Sequence, residues 1–272
     1  MDRRNKRRRF RDRPRIQGGL SIIPSLFTIG NIFCGYYAVI STLKGRYDEA
    51  AIAIGVGSVL DGLDGRIARL TRTASDFGLE LDSLADVMTF GIAPAMLAYS
   101  WGLGSIAGIP ANIAKHVYQL GWLATFAFVI CGALRLARFN LQTKKPPDST
   151  SKRFFVGLPI PAAANLVAAW VHYFKGPVQQ VGSALLWAFL IGTIAFLMIS
   201  TVRYYSFKEL DLKKPRPRLV FFVTAMLLGL TIFYSEYVLL ALAVIYVSSG
   251  PILKMLQTVI DCCELVPEQG HG

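Results

Sequence analysis

Asp61 and Asp64 stand three residues apart and Asp82 and Asp86 four apart, within a stretch from Leu60 to Asp86 that holds six carboxylates between apolar flanks. On a helix, side chains three apart diverge by about 60° and four apart by about 40°, so each pair shares one face. Two helices joined through one loop would aim both pairs at a common point. Four like charges gathered there cannot all stay ionised without cations. Oxygen-only ligands of this kind suit Mg²⁺ or Mn²⁺, with a substrate phosphate completing the shell. Two such ions sharing the carboxylates would form a clamp for displacement at phosphorus. Acids at membrane depth also mark proton and ion pathways, so a transporter is the competing reading.

The residues between the acids suit a bulky phosphate ligand. Gly65 and Ala68 leave the helix face beside Asp61 and Asp64 open, and Gly78, one turn before Asp82, keeps a side chain out of the same space. Arg69 offers a planar fork to a phosphate or a base edge. Each of these glycines also fits simple helix packing.

The elements that must carry these residues follow from composition. The chain has 272 residues, of which 53% are hydrophobic and only 17% charged, with mean hydropathy +0.45. A spanning helix needs about 20 mostly apolar residues, and such runs fall at roughly 20–43, 49–71, 82–101, 119–139, 157–174, 182–202, 218–235 and 237–256 by that rule. The expected fold is therefore an all-α polytopic membrane protein of about eight spans, with both termini cytoplasmic. A basic tail (1–19) precedes the membrane domain (20–256), and a short tail (257–272) follows it. The boundary across Tyr234–Tyr237 is the least defined. The first apolar stretch is too long for a cleavable signal and reads as an uncleaved span.

The net charge of +12 follows the same topology. With these spans, every Lys and Arg of the 29 falls on the inner side except Lys44, Arg46, Lys115 and Lys175, as the positive-inside rule requires. No RNA- or DNA-binding motif accompanies the basic tail, so the charge is read as topology with some attraction to anionic lipid, and no nucleic-acid partner is expected. Cys34, Cys131, Cys262 and Cys263 lack ligand spacing. His116, His172 and His271 lie away from the acids, and no Ser–His or Cys–His nucleophile pair is visible.

Taken together, Asp61, Asp64, Gly65, Ala68, Arg69, Gly78, Asp82 and Asp86 stand in the spacing DxxDGxxARx8Gx3Dx3D, which resembles the signature of the CDP-alcohol phosphotransferase family. The resemblance implies an integral membrane enzyme that moves a phosphatidyl-type group from a CDP-linked lipid to an alcohol and releases CMP. It assigns Asp61, Asp64, Asp82 and Asp86 to two divalent ions, Mg²⁺ or Mn²⁺, and gives Asp86 the role of base. Gly65, Ala68 and Arg69 would line the CDP pocket with Gly78, and a homodimer would be the assembly.

Three further segments, IPSLFTIGNIFCG (23–35), GALRLARFN (132–140) and FVGLPIPAAA (155–164), with RYYSFKEL (203–210) as a weaker fourth, resemble the bacterial and archaeal phosphatidylserine synthase branch. That branch would add two C-terminal helices to a six-helix core. It would use CDP-diacylglycerol and L-serine at a cytoplasmic face of the prokaryotic inner membrane. Thr28 and Asn31 share a face of the first span and could meet the nucleotide. For Thr28, a helix–helix hydrogen bond is the alternative. Arg135 and Arg138, beside Asn140, could pair with the serine carboxylate, or else bind lipid phosphate and anchor the helix. Gly157, Pro159 and Pro161 suit a helix start. A sister enzyme with glycerol 3-phosphate or an inositol phosphate as acceptor stays open.

Overall fold

The computed structural model describes residues 22–71, 76–104, 106, 111–143, 154–205, 225–226 and 229–264. Its helices are α1 (Ile22–Leu43), α2 (Tyr47–Thr71), α3 (Asp76–Asp86), α4 (Ala93–Gly102), α5 (Ala111–Thr143), α6 (Ile160–Phe174), α7 (Val181–Ile199) and α8 (Ser235–Glu264). A π-helical turn, Val87–Ile92, joins α3 to α4 without a break. Two three-residue strands, β1 (Phe154–Val156) and β2 (Arg203–Tyr205), pair antiparallel with Phe155 opposite Tyr204. The sequence reading did not expect that hairpin-like clasp.

Five described helical stretches are long and apolar enough to cross a membrane: Leu26–Leu43, Phe77–Gly102, Ala114–Leu141, Val181–Ile199 and Ser235–Thr258. The chain is an integral membrane protein. The expected spans at 49–71 and 157–174 are the helices α2 and α6; α2 is long enough but carries the acids, and α6 is apolar but short. Half of the expected span at 218–235 lies outside the described residues, as does the whole basic tail 1–19. The backbone bends at Tyr234 and α8 starts at Ser235, within the segment where the sequence placed its uncertain boundary. α8 then continues to Glu264, beyond the expected end at 256.

The surface pattern is that of a protein in lipid. Leu26, Ile29 and Phe33 of α1, Trp122 and Phe126 of α5, and Phe189 and Phe196 of α7 are exposed, whereas Ala38, Ala50, Ala53, Ala93, Ala98, Ala163 and Ala164 are buried. Lipid tails are as apolar as leucine, so large side chains gain nothing by turning inward, and small residues let the helices approach. The α1–α2 hairpin closes through Gly45, whose φ of 73° lets Arg46 N–H reach the Ser41 carbonyl at 2.9 Å, a glycine helix stop. Asp48 and Glu49 in the first turn of α2 complement its dipole.

One end of the bundle is tied by aromatic and polar contacts. Trp101, Trp170, Phe174 and Trp187 cluster there, with Trp101 and Trp187 ring centres 5.0 Å apart and the Trp187 indole N–H donating to the Ala98 carbonyl. His172 Nδ1 lies 2.5 Å from Asp48 Oδ1, and its Nε2 lies 2.9 Å from Ser235 Oγ. Thus the start of α2, the end of α6 and the start of α8 are joined by one imidazole. Lys175 Nζ meets Glu236 at 2.5 Å, and this hydrogen bond and charge hold the lysine pKa above its usual value.

Candidate functional site

The acids occupy the other end of the bundle. Asp61 is thirteen residues beyond Asp48 on α2, a rise of about 20 Å along a helix. Both acid-bearing helices continue past their carboxylates toward the connecting segment: α2 runs to Thr71, and α3 begins at Asp76 rather than near Asp82. The other two carboxylates of the Leu60–Asp86 stretch, Asp76 and Glu80, are both helical, and Glu80 is exposed. The four acids therefore stand about two to three turns inside their helices, which fixes their directions more firmly than a loop would.

Asp61, Asp82 and Asp86 each offer a carboxylate oxygen, and these atoms all lie within 4.8 Å of one another. Asp86 Oδ1 is buried and has no hydrogen-bond partner among the described residues. Hard oxygen donors at this spacing, with an unpartnered buried oxygen among them, fit a divalent cation. Asp64 stands beside the trio. It is 6% exposed, and its Oδ2 accepts a hydrogen bond from the Thr28 hydroxyl of α1. The helix–helix bond considered for Thr28 is therefore made, and it is made to one of the acids. The charges of Asp61, Asp64 and Asp82 all act on Asp86, and Arg135 opposes them.

The remaining predicted residues divide. Asn31 is 1% exposed, and neither atom of its amide group has a partner among the described residues. Gly65 is exposed, with nothing within 4 Å of where a Cβ would stand. Gly78 is half-buried on α3. Ala68 and Arg69 continue α2, but their side chains lie outside the described residues. Arg135 is 7% exposed, its Nε unpartnered, with Asp86 and Tyr246 within electrostatic reach.

Arg138 and Asn140 face structural partners. Arg138 Nη2 donates to the Val156 carbonyl at 2.7 Å and so holds β1 against α5. Gly157 follows at φ 83°, and a Cβ there would stand 2.4 Å from the Met198 carbonyl and 3.0 Å from Arg138 Nη2. Only glycine fits that corner. Asn140 Nδ2 donates to Ser83 Oγ at 2.9 Å, tying α5 to the residue after Asp82. Pro159 caps α6 and Pro161 lies in its first turn, as the sequence suggests.

Sequence reasoning missed four features. Thr89 and Ser83 brace α3, yet nothing in a run such as SLADVMTFG marks a hydroxyl as a cross-helix contact. Tyr246 of α8 acts on Arg135 electrostatically, from a helix more than a hundred residues away. The fourth is a correction: the structure does form a Ser–His pair, Ser235–His172, with Asp48 behind it. It lies at the far end of the bundle, which separates it from phosphoryl chemistry at the acids. Between the two ends runs a cavity of about 630 Å³ lined by α2, α6 and α8, from His172 and Ser235, past Asn165 and Ser58, to Tyr246.

A family model described as CDP-alcohol phosphatidyltransferase matches residues 21–195. Curated relatives named CDP-diacylglycerol–serine O-phosphatidyltransferase include that of Helicobacter pylori, 37% identical over 196 residues, 70% of this chain and 74% of that protein. The Bacillus subtilis protein is 35% identical over 190 residues, 70% and 93% of the two chains. The Methanocaldococcus jannaschii protein is 34% identical over 235 residues, 86% and 94%, a likeness that extends past the end of the family model. Since the matched region holds every carboxylate of the cluster and the helices that aim them, the chain belongs to the CDP-alcohol phosphatidyltransferase family and is a membrane enzyme of that class.

Proposed function

We propose that the enzyme transfers the phosphatidyl group of CDP-diacylglycerol to the hydroxyl of L-serine, giving phosphatidylserine and CMP. The observation that carries the choice of acceptor is Arg135, a buried guanidinium beside Asp86 with an unpartnered Nε. Serine brings a carboxylate that simple polyols lack, and a guanidinium binds it through charge-assisted hydrogen bonds. The names of the relatives point the same way.

Asp61, Asp64, Asp82 and Asp86 would hold two divalent ions, Mg²⁺ or Mn²⁺, whose chemistry is to stabilise charge on the entering and leaving oxygens of a displacement at phosphorus. Asp86 takes the proton of the serine hydroxyl. The freed oxygen bonds to the phosphorus that bears the lipid, and the bond from that phosphorus to the CMP oxygen breaks, with CMP leaving. Arg135 orients the acceptor through its carboxylate. Thr28 keeps Asp64 turned toward the site. Gly65, Gly78 and Asn31 would line the side where the nucleotide enters, and the family spacing assigns Ala68 and Arg69 to the same pocket. The lipid tails leave sideways, and the cavity that reaches Tyr246 offers an apolar path for one of them. The one-sided distribution of Lys and Arg supports a site that opens to the cytoplasm, and the bacterial and archaeal relatives support a prokaryotic cell membrane.

Membranes carrying the chain, incubated with CDP-diacylglycerol and labelled L-serine, are expected to yield CMP and labelled phosphatidylserine in equal amounts. CMP release with glycerol 3-phosphate or an inositol phosphate, and none with serine, would assign the chain to a sister enzyme. A transporter would release no CMP with any acceptor.

A further inference from the structure

Asp82 and Asp86 face Asp61 and Asp64 only if α3 holds one rotation against α1 and α2, and the contact that sets this rotation lies in the π-helical turn directly after Asp86. Thr89, in that turn, is fully buried. Threonine in a helix commonly returns its hydroxyl to a carbonyl of its own helix; here Oγ1 donates across to the Asn31 carbonyl of α1 at 2.9 Å. The side chain fills a slot between two glycines on different helices. A Cβ on Gly35 of α1 would stand 2.5 Å from Thr89 Oγ1 and 2.9 Å from its Cα. A Cβ on Gly57 of α2 would stand 2.8 Å from Thr89 Cγ2 and 3.0 Å from Asn31 Oδ1. Neither glycine has positive φ, so what each supplies is closeness.

These contacts lie one turn from an acid on α2 and α3, and one turn from Thr28, the partner of Asp64, on α1. Gly57 precedes Asp61 by four residues on α2, Asn31 follows Thr28 by three on α1, and Thr89 follows Asp86 by three. The π turn, wider than an α turn, is a local departure of the kind found where a helix aims functional groups. We propose that Thr89 is a positioning residue: wedged between Gly35 and Gly57, it sets the register at which Asp82 and Asp86 meet Asp61 and Asp64. This rests on the metal-binding reading of the four acids.

The test is Mn²⁺ binding by the full-length purified protein, followed by electron paramagnetic resonance beside kcat, KM and melting temperature. Thr89→Ala is expected to weaken Mn²⁺ binding and lower kcat, each by about tenfold or more, the size seen when groups that orient metal ligands are removed. The KM for CDP-diacylglycerol should move far less. Thr89→Val, which keeps the wedge, should recover most of both. Gly57→Ala should resemble Thr89→Ala, and Thr89→Ser, by removing Cγ2, should relieve Gly57→Ala in the double variant. A lowered melting temperature with parental Mn²⁺ affinity and kcat in Thr89→Ala would reduce Thr89 to a packing residue and overturn the proposal. Absence of Mn²⁺ binding by the parent would instead remove the reading of the acids, and this inference with it.

Discussion

Asp86 is the residue on which the proposed chemistry turns, because it combines a buried oxygen unpartnered among the described residues, two neighbouring carboxylates within 4.8 Å and an arginine in reach. Exchanging it for an amide keeps its shape and removes both its basicity and its charge. Asp86→Asn is therefore expected to lose about 10²- to 10⁴-fold in turnover, the range of general-base catalysis, with binding of CDP-diacylglycerol largely kept. Steady-state rates and equilibrium binding of the lipid nucleotide measure the two effects separately. An Asp86→Asn enzyme of full activity would exclude the role of base. Arg138, Asn140 and Thr28 show the limit of spacing arguments at this scale. All three lie where the sequence put them, yet Arg138 holds a strand, Asn140 holds α3, and Thr28 holds Asp64.

The elements divide the molecule into an end that reacts and an end that holds. At the holding end, His172 joins α2, α6 and α8 through Asp48 and Ser235. A Ser–His–Asp sequence of hydrogen bonds can activate a nucleophile, but its distance of about 20 Å along α2 from the acids makes it a brace for the displacement at phosphorus. His172→Phe should lower the melting temperature in detergent, consistent with a loss on the order of 1 kcal/mol for each hydrogen bond to its half-exposed partners Asp48 and Ser235, while kcat with serine stays at the parental level. A fall in kcat without loss of stability would show that the pair takes part in the reaction. Hydropathy revealed the helices at this scale and set their approximate limits. It missed the start of α3 at Asp76, because the polar residues of that first turn look like loop to any apolar window, and it missed the β1–β2 clasp, whose strands are three residues each.

For the whole molecule, the cluster is an electrostatic problem before it is a catalytic one. Four acids at one end of a bundle in lipid repel each other, and Arg135 balances only part of that charge. To stay ionised together they need cations. Exhaustive chelation should abolish turnover, and adding back Mg²⁺ or Mn²⁺ should restore it; turnover that survives chelation would exclude the clamp. The same measurement in proteoliposomes, with chelator confined to one face, reads which side the acids open to.

The sequence by itself determined the membrane class, the acids, and the spacing that makes them a site. These are properties of helical period and hydropathy, written within a few turns of chain. Only the tertiary structure decided which of the marked polar residues face the reaction and which brace it. Arg135 and Arg138 are three apart on one helix, yet one is buried within electrostatic reach of Asp86 and the other donates to a strand carbonyl. That choice is made by α8, β1 and the π turn after Asp86, whose contacts span sequence distances that no local pattern encodes. Thr89 is the clearest case: an ordinary threonine in the sequence, and in the fold the point where α1, α2 and α3 are held in register.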